Sequence, residues 1–296
     1  MPIGLLTGLG AALAWGSMDI ASALGSRRLG SLNVTAGVQL VSAVLLVLVA
    51  IVTNTPPPSD PGLLLASAVL GLAGAGAYLA YFTGLRIGPI SIVSGMVAAY
   101  GGLTVVLAVI FRGESLTGLQ AIGAAIATVG VVLTAVAFDG GMRATRLAGP
   151  GVIFAVVALI LFAVMTVGLA ATIEQSGWLE ILLVSRIVNA AISIGAVWGV
   201  GAVAHPRLGA LVHREHAASR RSWSIVLLAG VLDLAGLAVY AYGLEVAETW
   251  LVGLASSFGP AVTILVAVGF LGERLRPIQW FGLLAVGAGM VAIALP

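Results

Sequence analysis

Phe111-Arg112-Gly113-Glu114-Ser115-Leu116, followed by Gln120 and Gly123, returns later in the chain as Phe270-Leu271-Gly272-Glu273-Arg274-Leu275, followed by Gln279 and Gly282. The offset is 159 residues throughout, and without any gap it also pairs Tyr81 with Tyr240, Gly84 with Gly243, Leu85 with Leu244, Thr104 with Thr263 and Gly130 with Gly289. Self-similarity at one fixed spacing marks a duplicated unit. The first copy is placed at residues 1–138 and the second at 150–296, with a linker at 139–149.

Composition sets the solvent for both copies. Of 296 residues, 60% are apolar and 8% charged, whereas soluble domains carry about a quarter charged residues. The expected surroundings are a lipid bilayer. A spanning helix needs about 20 apolar residues, and ten segments meet that length, near 3–24, 33–53, 62–84, 90–111, 117–137, 150–171, 179–201, 223–244, 249–271 and 278–295. Between them lie loop signals: Pro56-Pro57-Pro58-Ser59-Asp60-Pro61, Asp139-Gly140-Gly141, and the stretch from His205 to Arg221. Met1 to Gly10 lacks the positive start of a secretory signal, so the first span is expected to be retained.

Loops assigned alternately to two sides place 11 Arg residues on one side and only Arg112 on the other, with Arg186 inside a span. The positive-inside rule makes the Arg-rich side cytoplasmic and both termini periplasmic. Five spans per copy is an odd number, so the second copy enters the membrane from the opposite face. The expected fold is therefore all-α and polytopic, with ten transmembrane helices as two inverted five-helix repeats. Inverted repeats recur in secondary transporters, where a midplane site between the halves opens alternately to each side.

Other classes find little support. The chain has no Cys, which excludes disulfides and thiolate metal sites. Its net charge of +2 is too small to suggest a nucleic-acid partner. His205, His213 and His216 fall together in a polar stretch that reads as a solvated loop. No P-loop and no nucleophile–base set is present. Neither an enzyme nor a cofactor is expected.

With these features assembled, the chain resembles a known family. Ten helices from a five-helix duplication, Ala14-Trp15-Gly16 in the first helix, and Phe-x-Gly-Glu-x-Leu after the fourth and ninth look like an EamA-type member of the drug/metabolite transporter superfamily. Gly259-Pro260 matches the family's habit of a Pro within the ninth helix, while the fourth has Tyr100-Gly101-Gly102 at the equivalent place. The resemblance implies an exporter of small metabolites, amino acids or amphipathic toxic compounds in a bacterial inner membrane. It also implies a central cavity lined mainly by helices 1, 3, 4, 6, 8 and 9, and aromatic amino acid exporters are the nearest named activity.

Several residues are candidates for such a cavity. A carboxylate at mid-membrane costs roughly 2.5 to 3.5 kcal/mol on insertion scales and usually faces a cavity, a partner or a proton path. Asp19 lies about 24 Å of rise into the first helix, nearer its cytoplasmic end, whereas Asp233 is close to the midplane of the eighth. Asp233 is the stronger candidate for exchanging a coupling proton. Trp15, Tyr78, Tyr81, Phe82, Tyr100, Phe162, Tyr240 and Phe258 fall on helices expected to face the cavity, although an interfacial belt explains Tyr240, Tyr242 and Trp250 equally well. Asp19 with Trp15, i to i+4 on one face, would also suit efflux of cationic drugs through attraction between cation and ring. Arg186, within snorkelling reach of the outer interface and of Glu180, reads as structural. Gly113-Glu114 and Gly272-Glu273 read as helix punctuation, the Gly ending one helix and the Glu favouring the dipole of the next.

Overall fold

Punctuation in the sequence sets most helix ends. The computed structural model describes residues 2–88, 90–135, 150–202, 220–259, 261–262 and 277–295, and all regular structure among them is α-helical. Helix α1 spans Pro2–Leu29, and Gly30 at φ 85° turns the chain into α2, Ser31–Thr53. Asn54, at φ 53° in the left-handed region, closes α2. Asp60 then caps α3, Pro61–Ile87, its carboxylate accepting from the Leu63 amide at 2.8 Å, with Pro61 in the first turn where its missing N–H costs nothing. Helices α4, Ile90–Ala98, and α5, Tyr100–Arg112, form the fourth expected span, and α6 covers Gly118–Ala135. The second copy contributes α7, Pro150–Ser176, α8, Trp178–Ala202, α9, Arg220–Val246, α10, Thr249–Ser256, and α11, Pro277–Ala294.

Eight of these stretches are long and apolar enough to cross a membrane, and Gly118–Leu133 is a shorter apolar helix. The protein is thus a multi-pass membrane protein. Residues 260 and 263–271 of the ninth expected span, with Glu273 and the His205 to His216 cluster, lie outside the described residues.

The packing has a reciprocal pattern. Helix α3 packs on α7, and its repeat counterpart α9 packs on α1; α6 packs on its own counterpart α11. Along that last contact the glycines meet crosswise. A Cβ at Gly123 would lie 2.9 Å from the Gly289 carbonyl oxygen, and one at Gly130 would lie 2.8 Å from that of Gly282. Because the 159-residue offset carries Gly123 to Gly282 and Gly130 to Gly289, either contact maps onto the other when the copies are exchanged. Small residues let helix backbones approach in lipid, where no hydrophobic force drives them together.

The fourth span is interrupted although residues 90–111 contain no Pro. Helix α4 stops at Ala98, the Ala99 amide bonds back only three residues to Met96, and α5 restarts at Tyr100. Helix α10 stops at Ser256, and the Phe258 amide bonds back three residues to Ala255. Ala99 and Phe258 are equivalent under the offset. Tertiary contact accounts for the break in the first copy: Gly101 sits so close to Ser257 that a Cβ there would be 2.2 Å from its hydroxyl. The two interrupted helices meet at their interruptions.

Candidate functional site

Between the two copies lies a cavity of about 680 Å³, counting the open space at its mouth. Trp15, Met18 and Asp19 of α1, Tyr78 and Tyr81 of α3, and Val97, Ala98 and Tyr100 of the interrupted fourth span line one part of it. Phe162, Met165 and Thr166 of α7, Leu237 and Tyr240 of α9, and Ser256, Ser257 and Gly259 beside the break in the ninth span line the rest. The walls therefore come from helices 1, 3, 4, 6, 8 and 9 of the ten expected.

Phe162 organises the aromatic lining. Its ring stands perpendicular to that of Tyr78 at 5.3 Å between centroids, and Tyr81 and Tyr100 lie 6.3 and 5.9 Å away. Trp15 and Tyr240 pair at 5.1 Å on another wall. Tilted and edge-on arrangements of this kind suit the ring quadrupole and fix side-chain orientation. Each tyrosine hydroxyl also has a partner. Tyr81 donates to Asp19 Oδ2 at 2.8 Å, Tyr240 donates to Thr166 Oγ1 at 2.6 Å, and Tyr100 shares a hydrogen bond with Ser256 Oγ at 2.7 Å. A hydroxyl in hydrocarbon without a partner is costly, so these bonds let tyrosines surround an apolar space. Tyr240 is buried on the cavity wall rather than placed in an interfacial belt, and Trp250 is buried in a core cluster, while Tyr242 is exposed.

Asp19 is half-buried on the wall and is the one acidic side chain there; no basic side chain among the described residues lines the cavity. The arrangement offers rings and one carboxylate to a solute.

Three expected lining residues are elsewhere. Asp233 is fully buried behind Tyr78. Tyr78 donates to its Oδ1 at 2.7 Å, and Arg186 Nη1 stands 3.1 Å from Oδ2, an ion contact without hydrogen-bond alignment. The same guanidinium donates to Gln39 Oε1 and lies 5.8 Å from the centre of the Tyr78 ring. An uncompensated buried charge is expensive, so the carboxylate takes the cation rather than the open space. Phe82 is fully buried in the core behind the cavity, edge-on to Tyr78 at 5.8 Å. Phe258 is turned by the helix break into the cluster formed with Trp250, Leu254 and residues of α6 and α11.

Arg186, in turn, does not reach outward to Glu180. It is 4% exposed and turned inward, while Glu180 is bonded by Ser176. Its pairing with Asp233 joins residues 47 positions apart on two helices, and one sequence carries no signal for that.

Glu114 is also differently employed. Gly113, at φ 67°, does end α5. Glu114, however, crosses to the other copy, where its two oxygens accept from the amides of Thr249 and Trp250 at 3.1 and 2.9 Å, capping α10 instead of the helix that follows it. Arg112 Nε holds the same carboxylate at 3.0 Å and also pairs with Glu174. Burial alone would raise the pKa of Glu114, but the hydrogen bonds from Thr249, Trp250 and Arg112 outweigh it and hold the group below its ordinary value.

Known proteins share this architecture. The model of the EamA-like transporter family matches residues 2–136 and 149–295. An uncharacterized transporter of Vibrio cholerae serotype O1 is 30% identical over 130 residues, covering 34% of this chain and 43% of that protein. The chain thus matches less than half the length of this relative. A solved crystal structure superposes with a TM-score of 0.80 over 98% of this chain and 96% of its own, at 16% sequence identity, which shows a common fold.

Proposed function

Because this chain belongs to the EamA-like transporter family, we propose that it is a secondary transporter exporting small amphipathic metabolites, amino acids including aromatic ones among them, across a bacterial inner membrane. Transport proceeds by alternating access, with the two five-helix copies as inverted halves and both termini periplasmic. The observation that carries this reading is the cavity between the copies, lined by Trp15, Tyr78, Tyr81, Tyr100, Phe162 and Tyr240. An aromatic side chain or other flat apolar group would stack there, with its amine toward Asp19. The crosswise glycine contacts of α6 and α11 support the inverted arrangement, since an antiparallel pair related by exchange of the halves is what a two-fold axis in the membrane plane produces.

Purified protein in proteoliposomes, supplied with a broad amino acid panel with and without a pH gradient, tests the reading. Saturable flux above that of empty vesicles is expected, and its absence across the panel overturns it. Any coupling proton falls to Asp19, which the cavity reaches, ahead of Asp233, whose charge Arg186 balances.

A second reading, efflux of cationic drugs or quaternary ammonium compounds, is favoured by the cavity's single carboxylate and by the lack of a basic lining side chain among the described residues. Among the described residues, a zwitterion's carboxylate has no cation to meet on that wall. Inhibition of flux by quaternary ammonium compounds, but not by zwitterions, would select this reading.

A further inference from the structure

The buried hydroxyls of α1 and α2 have no use in the cavity. Ser31, Thr35, Gln39 and Ser42 recur at i, i+4, i+8 and i+11, which places them on one face of α2, and each is at most 1% exposed. The Thr35 hydroxyl is bonded to the Ser31 carbonyl, but the hydroxyls of Ser31 and Ser42 and the amide nitrogen of Gln39 have no hydrogen-bond partner in the protein. Ser22 and Ser26, one turn apart on α1, are equally buried and unpartnered.

Helix α8 meets this face with a polar stripe of its own. Gly71 and Gly74 of α3 abut Ser185 and Asn189, so α3 and α8 run in the same direction. Helix α2, joined to α3 by a short turn, runs the opposite way. Gln39 is bonded to Arg186 of α8, and Asn189 and Ser193, about one and two turns beyond Arg186, are buried and bonded to each other. Buried polar groups of α2, which packs on α8, therefore run from the Gly30 end of the bundle to the Arg186–Asp233 pair.

Hydrocarbon supplies no partner to a buried hydroxyl, so something else satisfies these groups. A cation does not fit, since the Gln39 amide and Arg186 are donors. An anion does not fit either, because Asp233 already balances Arg186. Water both donates and accepts, and makes about three hydrogen bonds at such positions. We propose that the seam between α2 and α8 is a narrow file of bound water reaching the Arg186–Asp233 pair from the Gly30 end without passing through the aromatic cavity. The hydration itself does not rest on the transport reading. Its consequence does: water at the pair lowers the cost of separating the two charges when the halves rearrange.

The natural absence of Cys makes the test clean. Ser31→Cys and Ser42→Cys exchange one atom, and Leu46→Cys is the dry control, one turn farther along α2, 1% exposed and packed in an apolar cluster. Thiols react as thiolates, which form only where water reaches. Full-length protein in proteoliposomes is treated with silver ion, and with a bulky maleimide, and the remaining thiol is counted. The serine-site variants are expected to react with silver at least about tenfold faster than Leu46→Cys, and not with the maleimide. Reaction no faster than Leu46→Cys overturns the water file, and equal reaction with the maleimide replaces it with a wide aqueous opening. Should Ser31→Cys fail to fold, Ser42→Cys against Leu46→Cys carries the comparison.

Discussion

Asp19 and Asp233 are both held by a tyrosine hydroxyl from α3, at 2.8 and 2.7 Å, yet one helix turn separates two different fates. Asp233 is fully buried and faces Arg186, whereas Asp19 stands half-buried on a cavity wall with no cation against it among the described residues. The tyrosine is common to both, so it does not decide the role. Charge compensation does. A carboxylate given its own cation is spent within the protein, while one left with a single donor and an open side can receive a solute.

The largest effect should come from breaking the compensated side. Asp233→Ala leaves Arg186 charged and unpaired in the interior, which costs about 3–5 kcal/mol when a buried pair loses one member. Little monodisperse protein should survive extraction into mild detergent. Replacing both residues together, Asp233→Leu with Arg186→Met, should restore most of the yield, because hydrophobic residues of similar volume often substitute for a buried pair at little cost. A single variant as stable as the parent would show that the water proposed at the pair is enough to solvate Arg186 alone.

Removing the two tyrosine hydroxyls compares the sites directly. In Tyr78→Phe the fully buried Oδ1 of Asp233 loses its tyrosine donor, and water confined to a narrow seam replaces it less readily than cavity water, so the loss should be about 1–3 kcal/mol. In Tyr81→Phe, water in the cavity can replace the lost donor at Asp19, so the loss should stay below about 1 kcal/mol. Unfolding midpoints measured in one detergent should rank Tyr78→Phe clearly below Tyr81→Phe. The reverse order would mean that Asp19 is the better sealed of the two.

These differences mark how far one sequence can be read. The 159-residue repeat and the apolar spans placed most described helix ends within a few residues, since glycine, proline and the spanning length act locally. Seven of the ten expected cavity residues do line the cavity, because aromatic residues recur on the helices that face it. Asp233, Phe82 and Phe258 do not, and all three fail for one reason: burial behind a neighbour depends on the rotation of a second helix. Depth in the membrane favours Asp233 over Asp19, but depth says nothing about whether a cation from α8 will meet it. Glu114 shows the same limit, since Gly113 ends its helix by a local rule while the carboxylate caps α10 across the molecule.

On the open side the effect should be functional. Asp19→Asn keeps an acceptor for Tyr81 and removes the charge, so the unfolding midpoint should shift by no more than about 0.5 kcal/mol. Flux of a quaternary ammonium probe should fall at least about tenfold, equivalent to 1.4 kcal/mol of lost interaction. Unchanged flux of the cation would remove Asp19 from the solute's path and leave the aromatic rings to carry recognition.

Glu114, outside the spans, gives the comparison its solvent-side limit. Its side chain is 13% exposed and its pKa is depressed by donors from Thr249, Trp250 and Arg112 despite the opposing effect of burial. A group depressed on folding adds stability above its ordinary value, here 4.5, and loses it as pH falls through the folded value. The parent should therefore be more stable than Glu114→Gln near neutrality, and the gap should close on acidification below 4.5. Partial exposure and screening keep that gap under about 1 kcal/mol. A gap that persists at low pH would mean that the cap works through hydrogen bonds alone. Charge at the start of α10 would then add nothing, and the contrast between Asp19 and Asp233 would remain a property of the membrane interior.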